Sequence, residues 1–101
     1  MKVSLLDRRF APGGTNWSGC QHFAAMSVRK PAHELLRELN VPYDEEDQED
    51  FVTVKHAALL TSTLINRTLL PGNVTFFGGF NAADVLVKDD RVVGAAVVRI
   101  I

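Results

Sequence analysis

Val3-Ser4-Leu5-Leu6-Asp7 is an apolar strand that ends in an acid, and Arg8-Arg9-Phe10-Ala11-Pro12-Gly13-Gly14 follows it directly. This order is typical of the second strand of a dinucleotide-binding unit, in which the acid binds the two ribose hydroxyls. A glycine-rich phosphate-binding turn should lie about 20 residues before that acid, but six residues precede Asp7 here. The stretch therefore predicts a nucleotide-binding enzyme domain of which this chain is a piece.

The composition is that of a modest globular domain. The chain has 101 residues, of which 47% are hydrophobic and 23% are charged, values that suit one soluble domain rather than a disordered segment. A formal net charge of -1 gives no electrostatic reason to expect nucleic acid or an anionic membrane as a partner. No apolar stretch approaches the ~20 residues that span a bilayer. The single cysteine, Cys20, excludes an internal disulfide and fits a reducing compartment, so we predict a cytoplasmic protein.

Hydrophobic spacing and helix-breaking residues predict alternating helices and strands after the first strand. A glycine-containing loop comes first, over residues 8–21. A helix is predicted over 30–40, with Pro31 at its first position and Asn40 in the left-handed conformation at its end. The remaining predicted elements are a strand over 51–54, a helix over 56–70, and strands over 74–77, 83–88 and 91–101, with a tight turn at Asp89-Asp90. This alternation favours an α/β fold in which helices cover a sheet.

The sequence gives little support for a metal site. Cys20 and His22 supply two ligands, and no residue at zinc-like spacing completes the set. His33 and His56 each belong to a predicted helix start. The run Asp44–Asp50 holds six acids in seven positions but lacks the central glycine and alternating ligands of a calcium loop. We therefore interpret the acidic run as a solvated surface turn and predict no metal ligands.

Several segments together resemble the thiamine thiazole synthase family, the eukaryotic enzymes that build the thiazole half of thiamine from NAD, glycine and a protein-derived sulfur. The resemblance runs along nearly the whole chain, and its two most specific strings are Arg-Lys-Pro-Ala-His and Val-Lys-His-Ala-Ala-Leu. The stretches that carry it are residues 5–7, 11–14, 17–19, 23–26, 28–33, 54–59 and 73–74, followed by the terminal hairpin.

The resemblance implies a partial glutathione-reductase-type dinucleotide-binding domain that ends in a β-hairpin and spans residues 1–101. It also implies a homo-oligomer in which NAD is consumed as a substrate together with glycine, and an iron-dependent reaction. By position, Asp7 and Arg8 match the family's ribose-binding pair. Thr15 falls where the family has a third glycine in contact with the dinucleotide, and Ala82 falls near a valine whose backbone holds the adenine side.

The departures from the family pattern concern the residues that would carry the reaction. The family's phosphate-binding glycines correspond to positions before Met1. Its sulfur-donating cysteine, its iron-binding acid and histidine, and its glycine-binding arginine correspond to positions beyond Ile101. Thr15 and Cys20 each replace a glycine, so Cys20 is not expected to donate sulfur. The resemblance therefore implies that the chain comes from a family of transferases. We expect no catalytic residues and no independent activity within these 101 residues.

Two other functional interpretations stay open. The chain is alternatively a non-catalytic remnant that acts as an oligomerising or interaction module, or a piece of a general flavin or nicotinamide oxidoreductase. At single positions, Asp7 is alternatively a turn-capping residue, and Arg8 with Arg9 would suit a phosphorylated ribose. Two groups of residues fit either ligand contact or packing: the aromatic residues Phe10, Trp17 and Phe23, and the pair Lys55-His56.

Overall fold

A computed structural model describes residues 1–18 and 24–100, and its backbone divides into two compact units. Unit 1 combines Met1–Pro12 with Leu69–Ile101, and unit 2 is the continuous segment Gly13–Thr68 between them. The elements are β1 (Val3–Asp7), a 3-10 helix (Gly14–Ser18), β2 (Met26–Arg29), α1 (Glu34–Glu38), β3 (Asp44–Glu45), β4 (Phe51–Val54), α2 (Ala57–Leu69), β5 (Val74–Gly78), β6 (Phe80–Lys88) and β7 (Arg91–Arg99). The predicted mixed α/β architecture is confirmed, whereas its assignment to one NAD-binding domain stays a prediction.

Unit 2 is built around a three-stranded antiparallel sheet of order β2-β4-β3. Strand β4 is central, and its two inward-facing valines, Val52 and Val54, are completely or almost completely buried. Apolar side chains from both helices cover this strand because an amphipathic helix buries its apolar stripe against a sheet. The core cluster consists of Leu36, Val41, Val52, Val54 and Leu60, with Met26, Val28, Leu39, Tyr43 and Leu64 packed against it.

The first helix is shorter than the sequence predicted. Strand β2, which was not predicted, occupies residues 26–29, and α1 begins only at Glu34. The prediction that Pro31 opens the helix is therefore wrong. The Lys30–Pro31 peptide bond is cis, and the carbonyl of Pro31 accepts a hydrogen bond from the Glu34 amide at 3.1 Å, which forms a turn ahead of the helix.

The end of α1 follows the prediction closely. Asn40 has φ +57°, as expected for a left-handed residue just past a helix. The amide of Val41 donates to the carbonyl of Leu36 at 2.9 Å, and that of Asn40 donates to the carbonyl of Arg37 at 3.2 Å. This is the Schellman arrangement, in which the two residues of the outer hydrogen bond also make an apolar contact. Leu36 and Val41 are both members of the unit 2 core.

The second helix, α2, agrees with its predicted bounds to within one residue at each end. It buries Ala57, Leu60 and Thr61. Its hydroxyl residues do not interrupt it, because their side chains bond to carbonyls of the preceding turn. Thr63 Oγ1 donates to the carbonyl of Leu59 at 2.7 Å, and Thr68 Oγ1 does so to that of Leu64 at the same distance.

Unit 1 contains two pairs of strands. Strands β1 and β5 are parallel, with Val3 opposite Val74 and Asp7 opposite Gly78. Strands β6 and β7 form the predicted antiparallel hairpin, although β6 begins at Phe80, three residues before its predicted start. Asp89 and Asp90 have φ +53° and +59°, which is the pair of left-handed residues that a type I′ turn requires. The predicted tight turn is confirmed.

Unit 1 leaves much of its apolar surface accessible. A cavity of about 380 Å³ is lined by Ser4, Leu6, Phe77, Phe80, Ala95 and Val97. The hairpin exposes further valine and leucine side chains on both strands: Val85, Leu86, Val87, Val92, Val93 and Val98. Within the described residues, no helix has the length and apolar character needed to cross a membrane.

Candidate functional site

Asp7 lies at the carboxyl end of β1, beside the end of the parallel strand β5. Its carboxylate is half-buried, and Oδ1 accepts a hydrogen bond of 2.8 Å from the backbone amide of Arg9. The other oxygen, Oδ2, has no hydrogen-bond partner among the described residues. Ligands of open α/β sheets bind beyond the carboxyl ends of the strands. The hydrogen bond to the amide two residues on is the turn-capping contact of the alternative interpretation of Asp7, and it leaves the second oxygen as an acceptor for the proposed ribose.

Arg8 and Arg9 follow this carboxylate, and both side chains are exposed. Neither guanidinium takes part in an ion pair with a described carboxylate. Two exposed cations beside one acceptor are compatible with a plain ribose and with a phosphorylated ribose. The choice between these two ligands therefore stays open.

The turn after Asp7 rests on Gly78 and Gly79, a feature that the sequence interpretation missed. The amide of Gly79 donates to the carbonyls of Asp7 and Arg9 at 3.0 and 3.2 Å. A Cβ atom added to Gly78 would lie 2.9 Å from the Cα of Phe10. Two glycines at the end of an apolar strand are a known sign that another backbone approaches closely. The pair Gly78-Gly79 was thus the available signal.

Ala82 lies in the same unit as Asp7 and Arg8, near the start of β6. It pairs with Val97 of β7, and the ladder is irregular between Ala82 and Asp84. Its side chain is exposed. The structure therefore places three of the four predicted ligand residues in unit 1, while the adenine contact assigned to Ala82 stays a prediction.

Thr15, the fourth predicted residue, belongs to unit 2 and lies exposed in the 3-10 helix. The glycine before this helix is explained by packing. A Cβ atom on Gly13 would come within 2.5 Å of Trp17 Nε1 and 2.8 Å of Thr61 Cγ2, and Gly13 has φ +112°. The close approach at Gly13 is thus made by side chains of its own unit, and the dinucleotide contact assigned to Thr15 stays a prediction.

A group of charged side chains surrounds Glu45 on unit 2. Lys30 Nζ lies 2.9 Å from Glu45 Oε1, and this hydrogen bond lowers the pKa of the glutamate, with smaller contributions from the positive charges of Lys30 and Arg37. The hydrogen bond that Arg37 Nε donates to Tyr43 Oη, 2.8 Å long, raises the pKa of the arginine, as does the charge of Glu34. These contacts tie the start of the acidic run to the turn before α1.

The acids and histidines do not assemble a metal site in the described part of the chain, where no three His, Cys, Asp or Glu residues come together as ligands would. Cys20, His22 and Phe23, which the sequence interpretation considered, lie outside the described residues. His33 is buried and stands edge-on to the ring of Tyr43, with ring centroids 5.9 Å apart. Lys55 and His56 are exposed at the start of α2, beside a shallow cavity lined also by Pro42, Tyr43 and Asp44.

Comparison with known proteins identifies the family of the chain. The sequence profile described as the Thi4 family matches residues 1–100. The chain belongs to the Thi4 family. Its relatives include the chloroplastic thiamine thiazole synthase of Chlamydomonas reinhardtii, 50% identical over 94 residues, and the thiamine thiazole synthase of Schizosaccharomyces pombe, 47% identical over 91 residues. The predicted resemblance is confirmed.

The fold of this Thi4 family member is also similar to a solved structure. The crystal structure of Thermovibrio ammonificans THI4 matches with a TM-score of 0.81 and 27% sequence identity, over 98% of this chain and 38% of that chain. The aligned segments cover 93% of this chain but 26% of the Chlamydomonas protein, and 90% of this chain but 27% of the Schizosaccharomyces protein. The chain therefore spans about a quarter of the length of the curated relatives it matches.

Proposed function

We propose that this Thi4 family chain forms the ribose-binding part of a thiamine thiazole synthase and that it serves thiamine biosynthesis. In the proposed reaction NAD is a substrate, glycine is the second small molecule, and a protein cysteine supplies sulfur for the adenylated thiazole precursor. The family membership and the likeness to the Thermovibrio structure support this function. A glutathione-reductase-type dinucleotide-binding fold is part of the same proposal.

The observation that carries the proposal is the hydrogen bonding of the Asp7 carboxylate. Its Oδ1 is held by the Arg9 amide, while Oδ2 has no partner in the described part of the chain. An ionised carboxylate that accepts from a hydroxyl forms a short and comparatively strong hydrogen bond. Its position at the carboxyl end of a parallel strand supports a role as the ribose-binding acid of a dinucleotide site. Arg8 is proposed to contact the same ribose.

The residues fit NAD better than they fit iron. Asp7 provides an acceptor for the ribose, whereas no described cluster of three acids, histidines or cysteines offers an iron site. We therefore assign nucleotide binding to this chain and derive no catalytic step from it. The chain by itself is expected to form no thiazole product from NAD and glycine.

The proposal is tested by titrating the chain with NAD and following amide shifts by NMR. Asp7→Asn removes the negative charge and is expected to weaken NAD binding by roughly tenfold, because a hydrogen bond to a charged group contributes about 1.5–3 kcal/mol. Asp84→Asn is the matched control, since Asp84 Oδ1 also accepts from a nearby amide, that of Val85, at 2.8 Å. Equal NAD affinities for wild type and Asp7→Asn would refute the ribose contact.

A second function, as an oligomerising or interaction module, is favoured by the exposed apolar side chains of unit 1. Contiguous exposed apolar surface commonly marks an interface. This function predicts a concentration-dependent increase in mass by light scattering and no dependence on NAD. A homo-oligomer is proposed under both functions, so the Asp7 titration rather than the mass decides between them.

The cellular compartment is proposed to be the cytoplasm. The single cysteine favours the cytoplasm, whereas the names of the algal and plant relatives describe those proteins as chloroplastic. Imaging of the tagged native gene product would settle the compartment, and chloroplast or other organelle fluorescence would refute the cytoplasmic proposal.

A further inference from the structure

The backbone of Gly78-Gly79 makes contacts with the segment Asp7–Phe10 on one side and with the end of the hairpin on the other. On one side, the Gly79 amide is shared between the carbonyls of Asp7 and Arg9. On the other side, the Gly79 carbonyl accepts a hydrogen bond of 2.7 Å from the amide of Ile100, which follows β7. The pair is therefore fixed at the junction of β5, β6 and the end of the hairpin.

Neither glycine has room for a side chain. A Cβ atom on Gly78 would lie 2.9 Å from Phe10 Cα, 3.0 Å from Phe10 O and 3.0 Å from Arg9 O. These are main-chain atoms, so they cannot move aside as the end of a flexible side chain would. Gly79 has φ +81°, a backbone conformation that residues other than glycine rarely adopt. An added Cβ there would also lie 2.9 Å from the ring of Phe10.

A side chain added at Gly78 or Gly79 would affect the Asp7 carboxylate through Arg9. The Arg9 amide holds Asp7 Oδ1 at 2.8 Å, and the Arg9 carbonyl is one of the two acceptors of the Gly79 amide. A displacement of the Arg9–Phe10 backbone therefore removes the hydrogen bond that fixes the Asp7 side chain. We propose that Gly78 and Gly79 are positioning residues for the Asp7 carboxylate and that they keep Oδ2 directed toward a ribose hydroxyl. This inference rests on the proposed function of Asp7.

The first test compares two nucleotides that differ only in the hydroxyl pair, AMP and 2′,3′-dideoxy-AMP, by NMR titration. Wild type is expected to prefer AMP by roughly tenfold, equivalent to about 1.4 kcal/mol. Gly78→Ala should reduce this preference to about threefold or less. Gly94→Ala is the matched control in the same unit, because a Cβ atom there meets Leu86 Cδ1 at an ordinary 3.6 Å. Its AMP preference should equal that of wild type.

A double-mutant cycle separates positioning from general damage. If Gly78 acts through Asp7, Asp7→Asn should cost little further AMP preference in the Gly78→Ala background, because the two changes remove the same interaction. Additive losses would overturn the proposal. Retention of the full AMP preference by Gly78→Ala would also overturn it.

The second test needs no nucleotide. Hydrogen exchange of the Arg9 amide, measured by NMR, should be faster in Gly78→Ala than in wild type and unchanged in Gly94→Ala. If Gly78→Ala does not fold, Phe10→Ala replaces it, since it removes the ring over Gly79 without adding an atom, and the same faster exchange is expected. Unchanged Arg9 exchange in the folded variant would overturn the positioning role. If Asp7→Asn alone leaves the AMP preference intact, the proposed ribose contact is wrong, and the exchange result still decides whether the glycines hold the turn.

Discussion

Lys30 and Glu45 form an ion pair with a distance of 2.9 Å between Nζ and Oε1, and both side chains are partly exposed. Lys30 comes directly after β2 and Glu45 ends β3, the two outer strands of the unit 2 sheet. The Lys30 amide also donates to the carbonyl of Asp50 at 2.8 Å. The acidic run, which was predicted to be a solvated turn, is therefore attached to the sheet at both of its ends, while most of its residues are exposed as predicted.

The stability of unit 2 is expected to fall in acid through Glu45. Its pKa is lowered in the folded state from the ordinary value of 4.5, chiefly by the hydrogen bond from Lys30. Because the folded pKa is depressed, the stabilisation is fully present above pH 4.5 and is lost as the pH falls through the folded pKa. Urea unfolding at several pH values should show a smaller acid-dependent loss for Lys30→Met than for wild type. Lys55→Met, at another exposed lysine, should keep the wild-type dependence.

Replacing Asn40 is expected to weaken the end of α1. Asn40→Ala removes the short polar side chain that helps asparagine to adopt φ +57°, and a left-handed conformation costs about 1–2 kcal/mol for a residue such as alanine. Asn40→Gly should be neutral or stabilising, since glycine adopts this conformation freely. Denaturant unfolding measures both. Asn66→Ala, at an exposed position inside α2, should instead be neutral or slightly stabilising, and an equal loss there would contradict the explanation.

The hairpin turn offers a substitution that should increase stability. Asp90 has φ +59°, so Asp90→Gly creates the Asp-Gly pair that type I′ turns favour. A gain of up to about 1 kcal/mol in the free energy of unfolding is expected, because the left-handed cost of about 1–2 kcal/mol is removed while the larger backbone entropy loss of glycine offsets about 0.5–1 kcal/mol. Asp84→Gly, within β6 rather than in the turn, should destabilise. A gain from both changes would mean that lost charge, and not turn geometry, is responsible.

NAD binding by the 101-residue chain is expected to be weaker than micromolar. The sequence contains an acid for the ribose but no G-x-G-x-x-G turn, whose amides and helix N-terminus hold the pyrophosphate. Each missing charge-assisted hydrogen bond contributes about 1.5–3 kcal/mol. Isothermal titration calorimetry tests this prediction, and a dissociation constant in the micromolar range or below would contradict it.

Cys20 is expected to keep its sulfur. It replaces a glycine of the family pattern and not the family's sulfur-donating cysteine. Mass spectrometry of the purified protein, before and after incubation with NAD and glycine, should find an intact cysteine at this position. Conversion of Cys20 to dehydroalanine would identify it as a sulfur donor after all.

Local sequence signals predicted the local features of this fold. Asn40 before Val41-Pro42 and the Asp89-Asp90 pair each determine a backbone conformation within a few residues, and both were correct. Strand β3 was missed because it has two residues, too few to show a period. Strand β2 has four residues, as the predicted β4 has, but it was not recognised beside the predicted loop and helix. Their formation depends on pairing with β4, which is distant in sequence from β2.

In the candidate site, too, the sequence predicted a local feature and missed a contact between distant residues. Asp7 was identified from its position at the end of an apolar strand, and the structure places it there. Gly78-Gly79 was not identified, because its role depends on the approach of Arg9 and Phe10 from the other end of the chain. A short-range pattern cannot report such a contact. The ligand roles of Arg8, Thr15 and Ala82 remain predictions.

The placement of unit 2 inside the sequence of unit 1 has a consequence for biosynthesis. Strand β1 can pair with β5 only after Val74, the partner of Val3, has been synthesised. All of Gly13–Thr68 is synthesised between the two strands. At about 5–20 residues per second, this interval lasts several seconds on the ribosome. Unit 2, whose strands and helices are contiguous, can fold first, while the apolar β1 strand remains without its β5 partner. Slower translation of residues 13–68 would prolong that exposure without changing a single native contact.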